Sequence, residues 1–205
     1  MKVSDLMKGE DVVEIFGDTG TCKTTVAIVL AKEYLEAKKK VLYLDTEKNI
    51  NVIPEGMEYI YAPDFNEMLR VIVGIKDKKY DLVILDSLGA PAVGAFATSS
   101  MKERGEMLLN VTSALYLLKI YANKHNANIF VCNQPESVFN KQPGYVLQPW
   151  GDKSNYFAKE VWRTSLLMTT PMMTTVQVTA FKCRRRGRGD PLFKVTVSKS
   201  GVVIQ

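Results

Sequence analysis

The residues best suited to chemistry lie in Gly17-Asp18-Thr19-Gly20-Thr21-Cys22-Lys23-Thr24-Thr25. The spacing is that of a phosphate-binding loop, Gly-x-x-x-x-Gly-Lys-Ser/Thr, with Cys22 where the second glycine belongs. In such a loop successive backbone N–H groups form an anion-binding nest, and the following helix N-terminus adds partial positive charge. Lys23 would reach the β- and γ-phosphates of a nucleoside triphosphate, and the Thr24 hydroxyl would ligate Mg2+.

Other residues could complete that chemistry. Asp86 closes the apolar run Asp81-Leu82-Val83-Ile84-Leu85, at the strand end where α/β folds place ligand chemistry. It would hold Mg2+ through water; the plainer alternative is a cap on a following helix. Glu47 in Asp45-Thr46-Glu47 could polarise the attacking water. From spacing alone an ordinary turn acid is an equal reading. Gln134 in Asn133-Gln134 could feel the γ-phosphate and pass its loss to the next segment. On residue types alone a turn amide is the simpler reading.

The strongest charge cluster is Lys182-Cys183-Arg184-Arg185-Arg186-Gly187-Arg188-Gly189. Lys182 and Arg184 are two apart and share a face of a strand. The cluster could act as a finger on a neighbouring subunit's nucleotide, or Arg185, Arg186 and Arg188 could grip a nucleic-acid backbone. The alternative is a solvated hairpin tip. Tyr145, Trp150, Tyr156 and Phe157 could stack on unpaired bases or pack in the core. His125, the single histidine, reads as a surface residue.

These groups need a frame. Val12–Phe16 is a β-branched run feeding the loop, and Val26, Leu30, Ala31 and Tyr34 mark the helix after it. Strands are expected at 41–45, 58–61, 81–86 and 127–132. Helices are expected after two capping boxes, Asp64/Glu67 and Ser100/Glu103. Residues 161–168, 174–182 and 192–198 read as antiparallel strands, with Met168, Met172 and Met173 at a strand-turn-strand. The alternation predicts an α/β fold with a mostly parallel central sheet, flanking helices and an antiparallel C-terminal edge.

At 205 residues and 46% hydrophobic, the chain fits one ample domain, 1–205. No apolar run is long enough to span a bilayer and no signal-peptide core follows Met1, so a cytoplasmic protein without membrane contact is expected. Cys22, Cys132 and Cys183 have no metal-like spacing and are expected to be reduced thiols. The net charge of +5 suits a polyanionic partner without demanding one.

In series, the segments FGDTGTCKTT (16–25), LYLDTE (42–47), DLVILDSL (81–88), IFVCNQ (129–134) and FKCRRRGRG (181–189) resemble the RecA-like recombinase family, and within it archaeal RadA paralogs of the RadB and RadC type. The resemblance implies a RecA-like P-loop ATPase core. It implies that Lys23 and Thr24 bind phosphate and metal, Glu47 is the general base, Asp86 the metal acid and Gln134 the γ-phosphate sensor. It places DNA-binding loops near 89–100 and 135–153. Lys182 and Arg184 look like the Lys-x-Arg pair of KaiC-like relatives. The implied partners are single-stranded DNA, a RadA-type recombinase and further copies of the chain.

Two departures qualify this. The loop strand begins near residue 12, so the N-terminal helical DNA-binding domain and polymerisation linker of full recombinases are not expected. A paralog that modulates the main recombinase, binding ATP and hydrolysing it slowly, is the reading; a KaiC-like regulatory ATPase and a non-hydrolysing nucleotide-binding module are the alternatives. The second departure is Cys22, whose Cβ and sulfur crowd the phosphates unless its φ is negative. Its place at a helix N-terminus beside Lys23 also favours a thiolate open to oxidation, although an incidental small residue is the plainer reading.

Overall fold

The computed structural model describes residues 1–7, 12–91, 100–134, 156–183 and 186–205. Nine strands form one sheet: β1 (Val12–Phe16), β2 (Val41–Asp45), β3 (Glu58–Tyr61), β4 (Leu82–Asp86), β5 (Asn128–Asn133), β6 (Glu160–Thr170), β7 (Met173–Lys182), β8 (Pro191–Ser198) and β9 (Gly201–Ile204). Helices α1 (Lys23–Glu36), α2 (Phe65–Gly74) and α3 (Met101–His125) cover it. The order across the sheet is β3-β2-β4-β5-β1-β6-β7-β8-β9. Every pairing from β3 to β6 is parallel, and every pairing from β6 to β9 antiparallel. The mostly parallel sheet with an antiparallel C-terminal edge is therefore as expected; β9 and a 3-10 turn at Val3–Leu6 were not read from the sequence.

The central strands are apolar throughout because both faces are covered. On one face Val13, Ile15, Tyr43, Ile84 and Phe130 meet Val26, Leu30 and Tyr34 of α1. On the other, Phe16, Leu44, Leu85 and Val131 meet Met68 and Ile72 of α2 and Val111, Leu115 and Leu118 of α3. Trp162 is fully buried, with Phe130 and Phe193 edge-on at 5.8 Å each. Such pairs add about 0.5–1.5 kcal/mol beyond the area they bury. They tie the antiparallel edge to the parallel centre.

Local signals set the helix starts. At α3 both halves of the Ser100/Glu103 capping box form. At α2 only the forward half forms: Asp64 accepts from the Glu67 N–H, whereas the Glu67 carboxylate pairs with Arg70 at 2.6 Å. The methionine cluster is the β6–β7 hairpin, as read, and Leu166, Leu167, Met168 and Met172 on it are exposed.

Register matters most at the carboxyl rim. Asp45 lies beside Asp86, Asp86 beside Cys132, and Phe16 beside Asn133. Three strand ends that carry candidate chemistry thus form one row next to the loop leaving β1, the place where parallel sheets bind ligands.

Candidate nucleotide site

The loop between β1 and α1 is packed from behind by β6. A Cβ built on Gly17 would lie 1.9 Å from Thr164 Oγ1 and 2.8 Å from the Thr164 carbonyl oxygen, so only glycine fits. Thr164 Oγ1 donates to Thr21 Oγ1 at 2.6 Å and lies 3.2 Å from the Phe16 carbonyl oxygen. Thr21 in turn donates to the Asp18 carbonyl. Gly20 has φ of 80°, which a glycine adopts at no cost.

Cys22, the N-cap of α1, has φ 61° and ψ 24°. The residue holds the left-handed conformation that its usual glycine would supply, not the negative φ that would have spared it. The thiolate expectation also fails: burial pushes the Cys22 thiol up, against the opposing pull of Thr25 and Lys23.

Lys23 curls over the loop, its ammonium donating to the carbonyls of Gly17 at 2.8 Å and Asp18 at 2.9 Å. Burial pushes its pKa down, while Cys132, Asp86, Glu47 and Asp18 pull it up. Thr24 donates to Asp86 Oδ2 at 2.7 Å, and the Tyr43 hydroxyl donates to the same oxygen at 2.6 Å. Burial is the main cause that raises Asp86 above the usual carboxylate range, despite these two donors. It also raises the thiol of Cys132, the neighbour of Asp86 on β5.

A buried carboxylate beside a threonine hydroxyl fits Mg2+. Among the described residues no three His, Cys, Asp or Glu side chains cluster to hold a metal by themselves. Mg2+ takes one or two protein ligands and completes its shell with phosphates and water.

Glu47 hangs on a turn built by Asp45. Asp45 Oδ1 accepts from the N–H groups of Glu47 and Lys48, and Oδ2 accepts from the Tyr59 hydroxyl. The Glu47 carboxylate accepts from Ser87 Oγ at 2.5 Å and from Asn49 Nδ2 at 2.8 Å. Gln134 follows β5, its N–H bonded to Asn133 Oδ1.

These residues enclose one cavity of about 270 Å³, lined by Thr19–Thr25, Glu47, Asn49, Asp86 and Gln134. Lys23, Thr24, Glu47, Asp86 and Gln134 are thereby brought together from four strand ends. A second hollow of about 650 Å³ shares Thr24, Thr25 and Asn49 with it and runs along Ile28, Val29, Ile50 and Val202. Tyr43, Asn49, Ser87 and Thr164 were not singled out from sequence. Ser87 had a signal, because it directly follows Asp86; Thr164 had none.

The basic segment is separate. Lys182 ends β7 and donates to the Ala158 carbonyl at 2.7 Å. The Arg188 guanidinium lies 4.3 Å from the Phe181 ring centre, and Arg186 is exposed. No described residue from 182 to 188 lines the cavity. Arg184, Arg185, Tyr145 and Trp150 lie outside the described residues, as do most of the expected 89–100 loop and all of the 135–153 loop. His125 is partly exposed at the end of α3, where Nε2 meets the Lys76 carbonyl. No helix among the described residues is long and apolar enough to cross a membrane.

No family model matches the chain. It is 26% identical over 134 residues to the protein RecA of Malacoplasma penetrans, an alignment taking in 60% of this chain and 41% of that protein. It thus spans less than half of that relative. It is 21% identical over 201 residues to the DNA repair and recombination protein RadB of Methanococcus maripaludis, covering 90% of this chain and 88% of the relative. A crystal structure of the RadB recombinase superposes with a TM-score of 0.73 at 21% identity, over 98% of this chain and 95% of that one. The architecture is that of a RecA-like core, and the resemblance to RecA- and RadA-type recombinases stands in sequence as well as in fold.

Proposed function

We propose that this chain is a RecA-like recombinase paralog that binds ATP with Mg2+, hydrolyses it slowly, and acts in homologous recombination and DNA repair through single-stranded DNA, a RadA-type recombinase, or both. The observation that carries this reading is the single cavity lined by Lys23, Thr24, Glu47, Asp86 and Gln134. A phosphate loop alone would indicate a nucleotide and nothing more. A carboxylate, a metal acid and a carboxamide around the same cavity support an ATP switch.

In this reading the triphosphate lies against the Thr19–Lys23 backbone, and Lys23 exchanges the Gly17 and Asp18 carbonyls for phosphate oxygens. The adjoining hollow past Thr25 and Ile28 takes the nucleoside. Thr24 and, through water, Asp86 would hold Mg2+, which would supply charge neutralisation for the phosphates. Glu47 accepts a proton from the water that attacks the γ-phosphorus as the bond to the ADP oxygen breaks. Gln134 touches the departing phosphate and passes its loss to the segment that follows it in sequence, the expected DNA-binding stretch, which lies outside the described residues. Lys182 and Arg184 serve a neighbouring copy's nucleotide, and Arg185, Arg186 and Arg188 meet nucleic-acid phosphates. Slow turnover follows from Cys22, whose Cβ stands at the closest approach of the backbone to phosphate.

ATP hydrolysis measured with and without single-stranded DNA tests the proposal. Stimulation by DNA is expected. Turnover indifferent to DNA favours a regulatory ATPase with protein partners, and binding without turnover favours a nucleotide-binding module.

A further inference from the structure

Glu47 is a half-buried turn residue asked to hold a fixed position. Its backbone is pinned by Asp45, but a glutamate side chain keeps several rotatable bonds, and no buried group of that turn fixes them. What does is Ser87, on the neighbouring strand end. Ser87 Oγ donates to Glu47 Oε1 at 2.5 Å across a sequence separation of 40.

Ser87 is itself locked. The Thr46 hydroxyl donates to the Ser87 carbonyl at 2.7 Å and accepts from the Ser87 N–H at 2.8 Å. The Thr46 N–H donates to the Asp86 carbonyl at 2.8 Å. The Ala90 N–H reaches Ser87 Oγ at 3.3 Å and occupies its acceptor side, leaving its proton for Glu47. Ser87 is 1% exposed and Thr46 6%. Neither lines the phosphate cavity. The second holder of the carboxylate, Asn49, is exposed, so its bond competes with water.

We infer that Ser87 is the positioning residue for Glu47: clamped to Thr46, it aims the Glu47 carboxylate into the phosphate cavity without touching the nucleotide. The inference rests on the proposed role of Glu47 as base. Reaction rates are sensitive to such placement, since an error of about 1 Å costs on the order of 100-fold. The same clamp joins the strand end that carries the base to the one that carries Asp86, so base and metal acid keep a constant separation.

Single-turnover ATP hydrolysis and ATP affinity, measured for the parent, Ser87→Ala, Glu47→Gln and the double variant, test it. Ser87→Ala is expected to slow hydrolysis about 10- to 100-fold, with ATP affinity within about 3-fold of the parent. In the Glu47→Gln background it should cost nothing more, because the two residues act as one unit. A Ser87→Ala protein at the parental rate beside an inactive Glu47→Gln protein overturns the inference alone. So does a full further loss in the double variant, or a loss confined to ATP affinity. Hydrolysis by Glu47→Gln at the parental rate overturns the base assignment, and this inference with it.

Discussion

Thr24 Oγ1 lies 2.7 Å from Asp86 Oδ2, a hydrogen bond between the first turn of α1 and the end of β4. It joins the two groups that would flank a magnesium ion, and it holds a carboxylate that is otherwise buried. Burial keeps the Asp86 pKa above its unfolded value. A carboxyl group raised in this way favours the folded state below its unfolded pKa, and that contribution is lost as pH rises through the folded value.

Asp86→Asn should therefore raise the melting temperature of the nucleotide-free protein at neutral pH and flatten its dependence on pH above the unfolded carboxylate range. The same change should abolish magnesium-dependent stabilisation. For the parent, ATP with Mg2+ at about 100 times Kd contributes about 2.7 kcal/mol, roughly 5–10 °C for a domain of this size. Thermal melts with ATP, with and without Mg2+, check both halves. An Asp86→Asn protein that keeps the full magnesium response contradicts the assignment.

Cys22 at φ 61° holds a conformation that costs a residue with a Cβ about 1–2 kcal/mol. Cys22→Gly removes that strain but adds freedom to the unfolded chain, so a net gain of about 0.5–1 kcal/mol is expected, together with faster hydrolysis. Cys22→Val should lose stability and nucleotide binding, because a β-branched residue is least tolerant of this region. Melting curves and hydrolysis rates of the two variants check the argument; a slower, less stable Cys22→Gly protein would sink it.

The contact of Gly17 with Thr164 makes the first glycine of the loop a packing requirement. Gly17→Ala should destabilise by about 1–3 kcal/mol, the usual cost of overpacking. Thr164→Ala should recover only part of this, since the Thr164 carbonyl and Thr21 Oγ1 remain within 3 Å of the new methyl, at 2.8 and 2.9 Å. Denaturant melts of the single and double variants measure the coupling.

Arg186 is exposed and outside the cavity lining, so its loss should leave ATP affinity unchanged. If it meets a phosphate of single-stranded DNA, Arg186→Ala should weaken binding uniformly across sequences. It should also lower the slope of log affinity against log salt by about 0.7. An unchanged slope removes Arg186 from the DNA surface. Arg188 is a poorer probe because it also packs on Phe181.

Fold and site were legible to different depths. Val41–Asp45 and Leu82–Asp86 were plain because a strand covered on both faces must be apolar along its length and ends where an acid can face the rim. β9 was missed because Gly201–Ile204 offers only three apolar residues and no alternation to read. The φ of Cys22 could not be read, since it depends on how the loop closes against β6 and not on the residue type. Thr164 was invisible for the same reason: its bond to Thr21 spans 143 residues and comes from strand pairing. The half-formed cap at Asp64 shows competition that spacing does not reveal, as Arg70 takes the Glu67 carboxylate.

In the proposed function the cavity at the strand ends binds ATP through Lys23. Isothermal titration of ATP with Mg2+ into the parent and into Lys23→Ala tests it most directly. Saturable one-site binding by the parent is expected, with at least about 10-fold weaker binding by the variant, the loss of roughly 1.4 kcal/mol or more that follows from removing a charge-assisted phosphate contact. Equal affinity in the two proteins, or no binding to either, would contradict it.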